Sequence, residues 1–188
     1  MSEEIKRWDD DLSPEARDLF IKMLPNYHER LHKINKIPIS VLIWGPSPSS
    51  QSPIGRIRRE LRQLLRQKGN LAMFSEEICD PNSEFSVRLQ QLIQAEQFDL
   101  IISIPETPGS IGEIHDFAND IRVNKKILIF LDESYAGGYS AQSLRSISCL
   151  ISSEIVTYSP SCIDRILEFS LNTVNQIREY KYITNGRF

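Results

Sequence analysis

Five short apolar runs, at residues 39–44, 71–74, 100–104, 127–131 and 155–158, recur along this chain, and stretches of helical spacing separate most of them. Ile57, Leu61, Leu64 and Leu65 fall on one helical face, as do Phe85, Leu89, Leu92 and Ile93, then Ile111, Ile114, Phe117, Ala118 and Ile121. A weaker pattern covers 141–150, and a long one runs from 163 to about 180. Runs this short and continuously apolar suit strands buried on both faces. Parallel strands need crossover connections, which are right-handed almost without exception. The alternation therefore predicts an α/β fold with a doubly wound, five-stranded parallel sheet.

Residues 1–36 lack any strand-like run. Ser13-Pro14-Glu15 supplies a capping hydroxyl, a proline at the first helical position and an acidic first turn. A helix is expected from there to Leu24, ended or kinked by Pro25, with a second short helix over 26–35. Pro38 marks the boundary, so the expected organisation is an N-terminal helical extension, 1–36, and a nucleotide-binding α/β domain, 37–188.

A net charge of −3 and a pI near 5.7 weigh against an obligate nucleic-acid binder. The segment 55–68 is nonetheless basic, with Arg56, Arg58, Arg59, Arg62, Arg66 and Lys68 against Glu60. It reads as a solvated face or as a contact for an acidic partner or nucleic acid. With the N-terminal helices, it is where a homo-oligomer or larger assembly would form. Cys79, Cys149 and Cys162 are widely spaced, as in a reduced cytoplasmic protein, and no segment has the length of a membrane span.

In open parallel sheets ligands bind beyond the carboxyl ends of the strands. After the first strand, Gly45-Pro46-Ser47-Pro48-Ser49-Ser50-Gln51-Ser52 offers hydroxyls and free N–H groups to a phosphate or ribose. After the second, Glu76 or Glu77 is placed to accept hydrogen bonds from a ribose diol. After the fourth come Asp132 and Glu133, then a Gly-Gly loop flanked by Tyr135 and Tyr139 that suits a lid. The third strand leads through Pro105-Glu106-Thr107-Pro108-Gly109-Ser110 to Glu113, which this turn places at a helix start. An ionised carboxylate there can attack an anomeric carbon or stabilise an oxocarbenium ion.

The run Gly109-Ser110-Ile111-Gly112-Glu113, with Ala118 on the same helix, resembles the Gly-Thr-x-x-Glu segment of nucleoside 2-deoxyribosyltransferases. It is also similar, more weakly, to the Pro-Gly-Gly-x-Gly-Thr-x-x-Glu segment of lysine-decarboxylase-like phosphoribohydrolases. The first resemblance implies a flavodoxin-like, Rossmann-like sheet, Glu113 as nucleophile on the sugar of an N-glycosidic bond, and Ser110 positioning it or the sugar. Those transferases carry a base-binding aspartate before the Gly-Thr pair. Here the nearest acid is Glu106, one residue farther from Glu113. The implied activity is that of an N-glycosidase or deoxyribosyltransferase acting on a nucleoside, nucleotide or dinucleotide, with no cofactor. Some prokaryotic defence effectors that degrade nucleotides or NAD resemble the same family.

Two other readings start from different residues. A non-catalytic nucleotide sensor or interaction module would use the helical extension and the basic helix. A zinc protease would use His28-Glu29-Arg30-Leu31-His32, a literal HExxH, although a third ligand would have to come from elsewhere and no metal site is expected.

Overall fold

A computed structural model describes residues 12–106, 108–135, 138, 142 and 154–184, and the side chains of residues 108, 109, 112, 113 and 116 lie outside that description. All five expected strands are present: β1 (Ser40–Trp44), β2 (Leu71–Phe74), β3 (Leu100–Ser103), β4 (Ile127–Asp132) and β5 (Glu154–Tyr158). They form one parallel sheet in the order β2-β1-β3-β4-β5, a flavodoxin- or Rossmann-like arrangement. Helices α1 (Pro14–Asn35), α2 (Pro53–Gln67), α3 (Val87–Gln97), α4 (Pro108–Ala118) and α5 (Arg165–Ile183) accompany it. The expected helix over 141–150 falls outside the described residues.

The two-residue period of a strand sorts each apolar run between two cores. Val41 and Ile43 of β1 join Ile102, Leu128 and Phe130 beneath α2 and α5, whereas Leu42 and Trp44 join Ile101, Ile129 and Leu131 beneath α3 and α4. On the first face α2 contributes Ile54, Ile57, Leu61 and Leu65, each worth about 1.5–3 kcal/mol when buried. Because β3 returns to the other side of β1, the sheet switches direction between these two strands. That is where a ligand crevice opens.

At the opposite edge, polar staples hold the layers in register. Arg178 of α5 donates to the Ile37 carbonyl at 3.0 Å and to Asn70 Oδ1 at 2.9 Å, and Asn70 Oδ1 also accepts from the Ile39 N–H. Asp99 Oδ2 accepts from the N–H and hydroxyl of Ser40, both at 2.8 Å, and from Lys181 at 2.6 Å. Burial raises the Asp99 pKa, but these three donors outweigh it and hold the carboxyl below its usual range.

Three expectations are corrected. Pro25 neither ends nor splits the first helix, for α1 is continuous over 22 residues. Proline removes the N–H that would bond the Ile21 carbonyl, and on a helix with no buried residue water can take that place. Phe85 lies outside α3, which starts after Ser86, whose hydroxyl accepts from the Leu89 N–H. Glu113 is not at a helix start. The helix begins at Pro108, whose fixed φ suits a first position, so Gly109 and Ser110 are helical and Glu113 lies in the second turn.

Candidate functional site

Beyond the carboxyl ends of β1 and β3 the backbone closes tightly. Gly45 has φ +155, and a Cβ there would lie 2.9 Å from the Ile104 carbonyl and 3.3 Å from Arg58 Cδ. Only glycine fits this junction. Its neighbour Trp44 packs on Phe117 of α4 with ring centroids 4.9 Å apart, and the buried indole N–H has no hydrogen-bond partner among the described residues.

The loop after β1 is held from below by α2. Arg59 donates to the carbonyls of Pro48 at 2.8 Å and Ser50 at 2.7 Å. Arg58, with a side chain only 1% exposed, donates to the carbonyls of Ile43 and Pro46 and to both carboxylate oxygens of Glu76. Its guanidinium carbon lies 4.3 Å from the centre of the Phe74 ring. Ser47 and Ser49 bond each other at 2.8 Å. Ser52 caps α2 by accepting from the Gly55 N–H, and it donates to Glu106 Oε2, both at 3.0 Å.

The acids after β2 are paired likewise. Glu77 accepts from the Phe74 N–H at 2.9 Å and pairs with Arg62 and, at 3.7 Å, with Arg66. Burial raises its pKa, but the backbone bond and both guanidiniums bring it below the usual range. The basic segment is therefore largely engaged within the domain: Arg58, Arg59, Arg62 and Arg66 all turn to backbone carbonyls or carboxylates.

Of the residues expected at the site, three meet in one place. Glu106, Asp132 and Tyr135 line a cleft of about 300 Å³ together with Pro53, Ile54, Pro105, Tyr158, Pro160 and Ile163. Gly45, Ser47, Ser49, Glu76 and Glu77 sit on the β1–β2 side and do not line it. Gly109, Ser110 and Glu113 belong to α4, and the Glu113 side chain lies outside the described residues, as does most of the Gly-Gly loop.

Sequence reasoning missed Tyr158 as a site residue. It ends β5 directly opposite Asp132 and is only 2% exposed. Burial first, then the charges of Asp132 and Glu106 and the Tyr135 phenol, push its pKa up, so it stays protonated and can donate. A hydroxyl residue at the carboxyl end of a strand was the signal that could have found it. The cleft thus offers two carboxylate acceptors and one phenolic donor between proline and isoleucine walls. No cation lines it among the described residues.

His28 and His32 lie on the exposed α1, where Glu29 pairs with Lys33 at 2.7 Å. The described residues contain no group of three or more histidines, cysteines or acids able to hold a metal. No described helix is long and apolar enough to cross a membrane. The chain matches no protein-family model, and no curated protein matches it significantly.

Proposed function

We propose that this protein cleaves the base–sugar N-glycosidic bond of a nucleoside-type substrate, with Glu113 as nucleophile. The observation that carries the reading is the convergence of Glu106, Asp132 and the protonated Tyr158 in one cleft at the carboxyl edge of the sheet. Carboxylates accept hydrogen bonds from sugar hydroxyls, a phenol donates to a ring or hydroxyl oxygen, and proline and isoleucine pack on the faces of the sugar. The absence of lining cations among the described residues suits the nucleoside part of a substrate better than its phosphate.

In this reading a Glu113 oxygen bonds to the anomeric carbon as the carbon–nitrogen bond breaks. The bonding pair leaves with the base, which takes up a proton, and water then displaces Glu113 from the sugar. A second base in place of water gives transfer. The resemblance of residues 109–113 to the transferase segment supports the role of Glu113, and the start of α4 two residues beyond Glu106 supports its nearness to the cleft.

The test incubates wild type and Glu113→Gln with a panel of nucleosides, nucleoside monophosphates and NAD, and follows free base or nicotinamide by chromatography. Base released by wild type and reduced by 10³-fold or more in the variant, roughly the cost of losing a nucleophile, is the expected result. Binding to both proteins without turnover would instead favour the non-catalytic sensor.

A further inference from the structure

We propose that α1 pairs antiparallel with α1 of a second copy of this chain, making a two-fold dimer. The helix has no buried residue along its 22 positions. Ala16, Phe20, Met23, Tyr27, Leu31 and Ile34 follow one another by three- or four-residue steps, the spacing of a helix-pairing seam. Along this stripe and its border Leu19 is 60% exposed, Met23 61% and Tyr27 58%. Among the described residues, the far end of the stripe meets its own domain. There Leu31 and Ile34 border a groove of about 410 Å³ shared with Arg178, Tyr182 and Ile183 of α5. Pro25 falls on the side of the helix opposite the stripe, where it leaves a partner's approach clear.

An isolated helix of this length with an internal proline is marginal in water, so its apolar face calls for a cover. The area and the charges both suit a second copy. Leu19, Phe20, Met23, Tyr27, Leu31, Tyr182 and Ile183 are exposed, and at roughly 100 Å² each they offer about 700 Å² per copy. A standard interface takes about 800 Å² from each partner.

Glu15 and Lys33 are about five full turns apart and so lie on the same flank of the stripe, where Glu29 holds Lys33 at 2.7 Å. An antiparallel pair with its axis near Leu24 sets Glu15 of each copy against Lys33 of the other, twice by symmetry. The antiparallel arrangement also carries the first turns of each helix, with Ala16 and Phe20, over the other copy's groove of Leu31, Ile34, Tyr182 and Ile183.

The test uses the full chain in sedimentation equilibrium. Wild type is expected at twice 21.7 kDa, with a dissociation constant in the micromolar range or tighter. Met23→Asp, an exposed position, is expected to be monomeric while keeping its domain unfolding transition. Glu15→Lys alone and Lys33→Glu alone each weaken the dimer about 10-fold, because both symmetric contacts become repulsive. Mixed together, the two variants regain wild-type affinity as a heterodimer. A wild type that stays monomeric up to ~100 μM overturns the proposal, as do charge variants that dimerise like wild type or fail to complement each other. Binding of the monomer to lipid vesicles through the same stripe, without dimerisation, overturns it too.

Discussion

Replacing Arg58 by methionine tests whether the buried guanidinium is a structural part of the carboxyl edge. Methionine keeps most of the stem that packs on Phe74 and removes every donor. The Ile43 carbonyl, which accepts at 2.7 Å inside the protein, loses a buried partner at about 2 kcal/mol. The Pro46 carbonyl lies in a loop and can reach water, so about 1 kcal/mol is expected there. Loss of the contact with the Phe74 ring adds about 1 kcal/mol. Against this, Glu76 is 47% exposed and rehydrates, and the buried Nε that has no partner among the described residues disappears, which returns about 1 kcal/mol. The net expectation is a loss of about 3 kcal/mol, or about 9 °C in Tm for a chain of this size. Urea unfolding followed by circular dichroism should show a lower midpoint with unchanged slope. Glu76→Gln, which keeps the hydrogen-bonding shape, should cost about half as much. A loss below about 1 kcal/mol for Arg58→Met would refute the reasoning, because the two carbonyls could not then depend on this side chain.

Gly45→Ala puts a Cβ 2.9 Å from the Ile104 carbonyl at φ +155, so a loss of about 3 kcal/mol in urea unfolding is expected, and tolerance of alanine would show that the β1–β3 junction is looser than described. The Asp99 carboxyl has a lowered pKa, so its stabilisation is full above the unfolded value near 4 and fades as pH falls through the folded value. Asp99→Asn should therefore cost about 1–2 kcal/mol at pH 7 and progressively less as the pH falls through the folded value, and a cost that does not change with pH would rule out the ionic part. Tyr158→Phe keeps the packing and removes the phenolic donor, so base release should fall about 10-fold with stability within about 1 kcal/mol of wild type. Unchanged turnover would remove Tyr158 from the site.

The sheet was legible because each apolar run is short and bounded, and because a run buried on both faces has few alternatives to a parallel strand. Ser13-Pro14 announced α1 plainly. Ser52-Pro53 carries the same signal, and there the serine caps α2 as expected of such a pair, yet the seryl loop around it masked the helix start. The same Pro-first logic explains why α4 begins at Pro108 and not near Glu113. Basic spacing on α2 gave no hint that Arg58 and Arg59 turn to backbone carbonyls, which lie in β1 and in the loop leading into α2. Those acceptors have no side-chain signature. Asp132 was a candidate from its place at a strand end and Glu106 from the family resemblance, whereas Tyr158 carried only the weak signal of a hydroxyl at a strand end, and its place opposite Asp132 follows from the β4–β5 register, which local pattern does not specify.

The first helix and the last one pack together, with α1 lying against α5. Synthesis runs in one direction, so α1 leaves the ribosome with the element it docks on still unmade. At typical elongation rates the remaining chain takes roughly 10–30 s to appear, and throughout that interval the Leu31 and Ile34 end of the stripe lacks the α5 surface it borders in the finished fold. The first helix to be made is thus among the last to be anchored. On a polysome, neighbouring nascent chains carry the same uncovered helix side by side, so the segment is offered to its own copies before it is offered to its own fold.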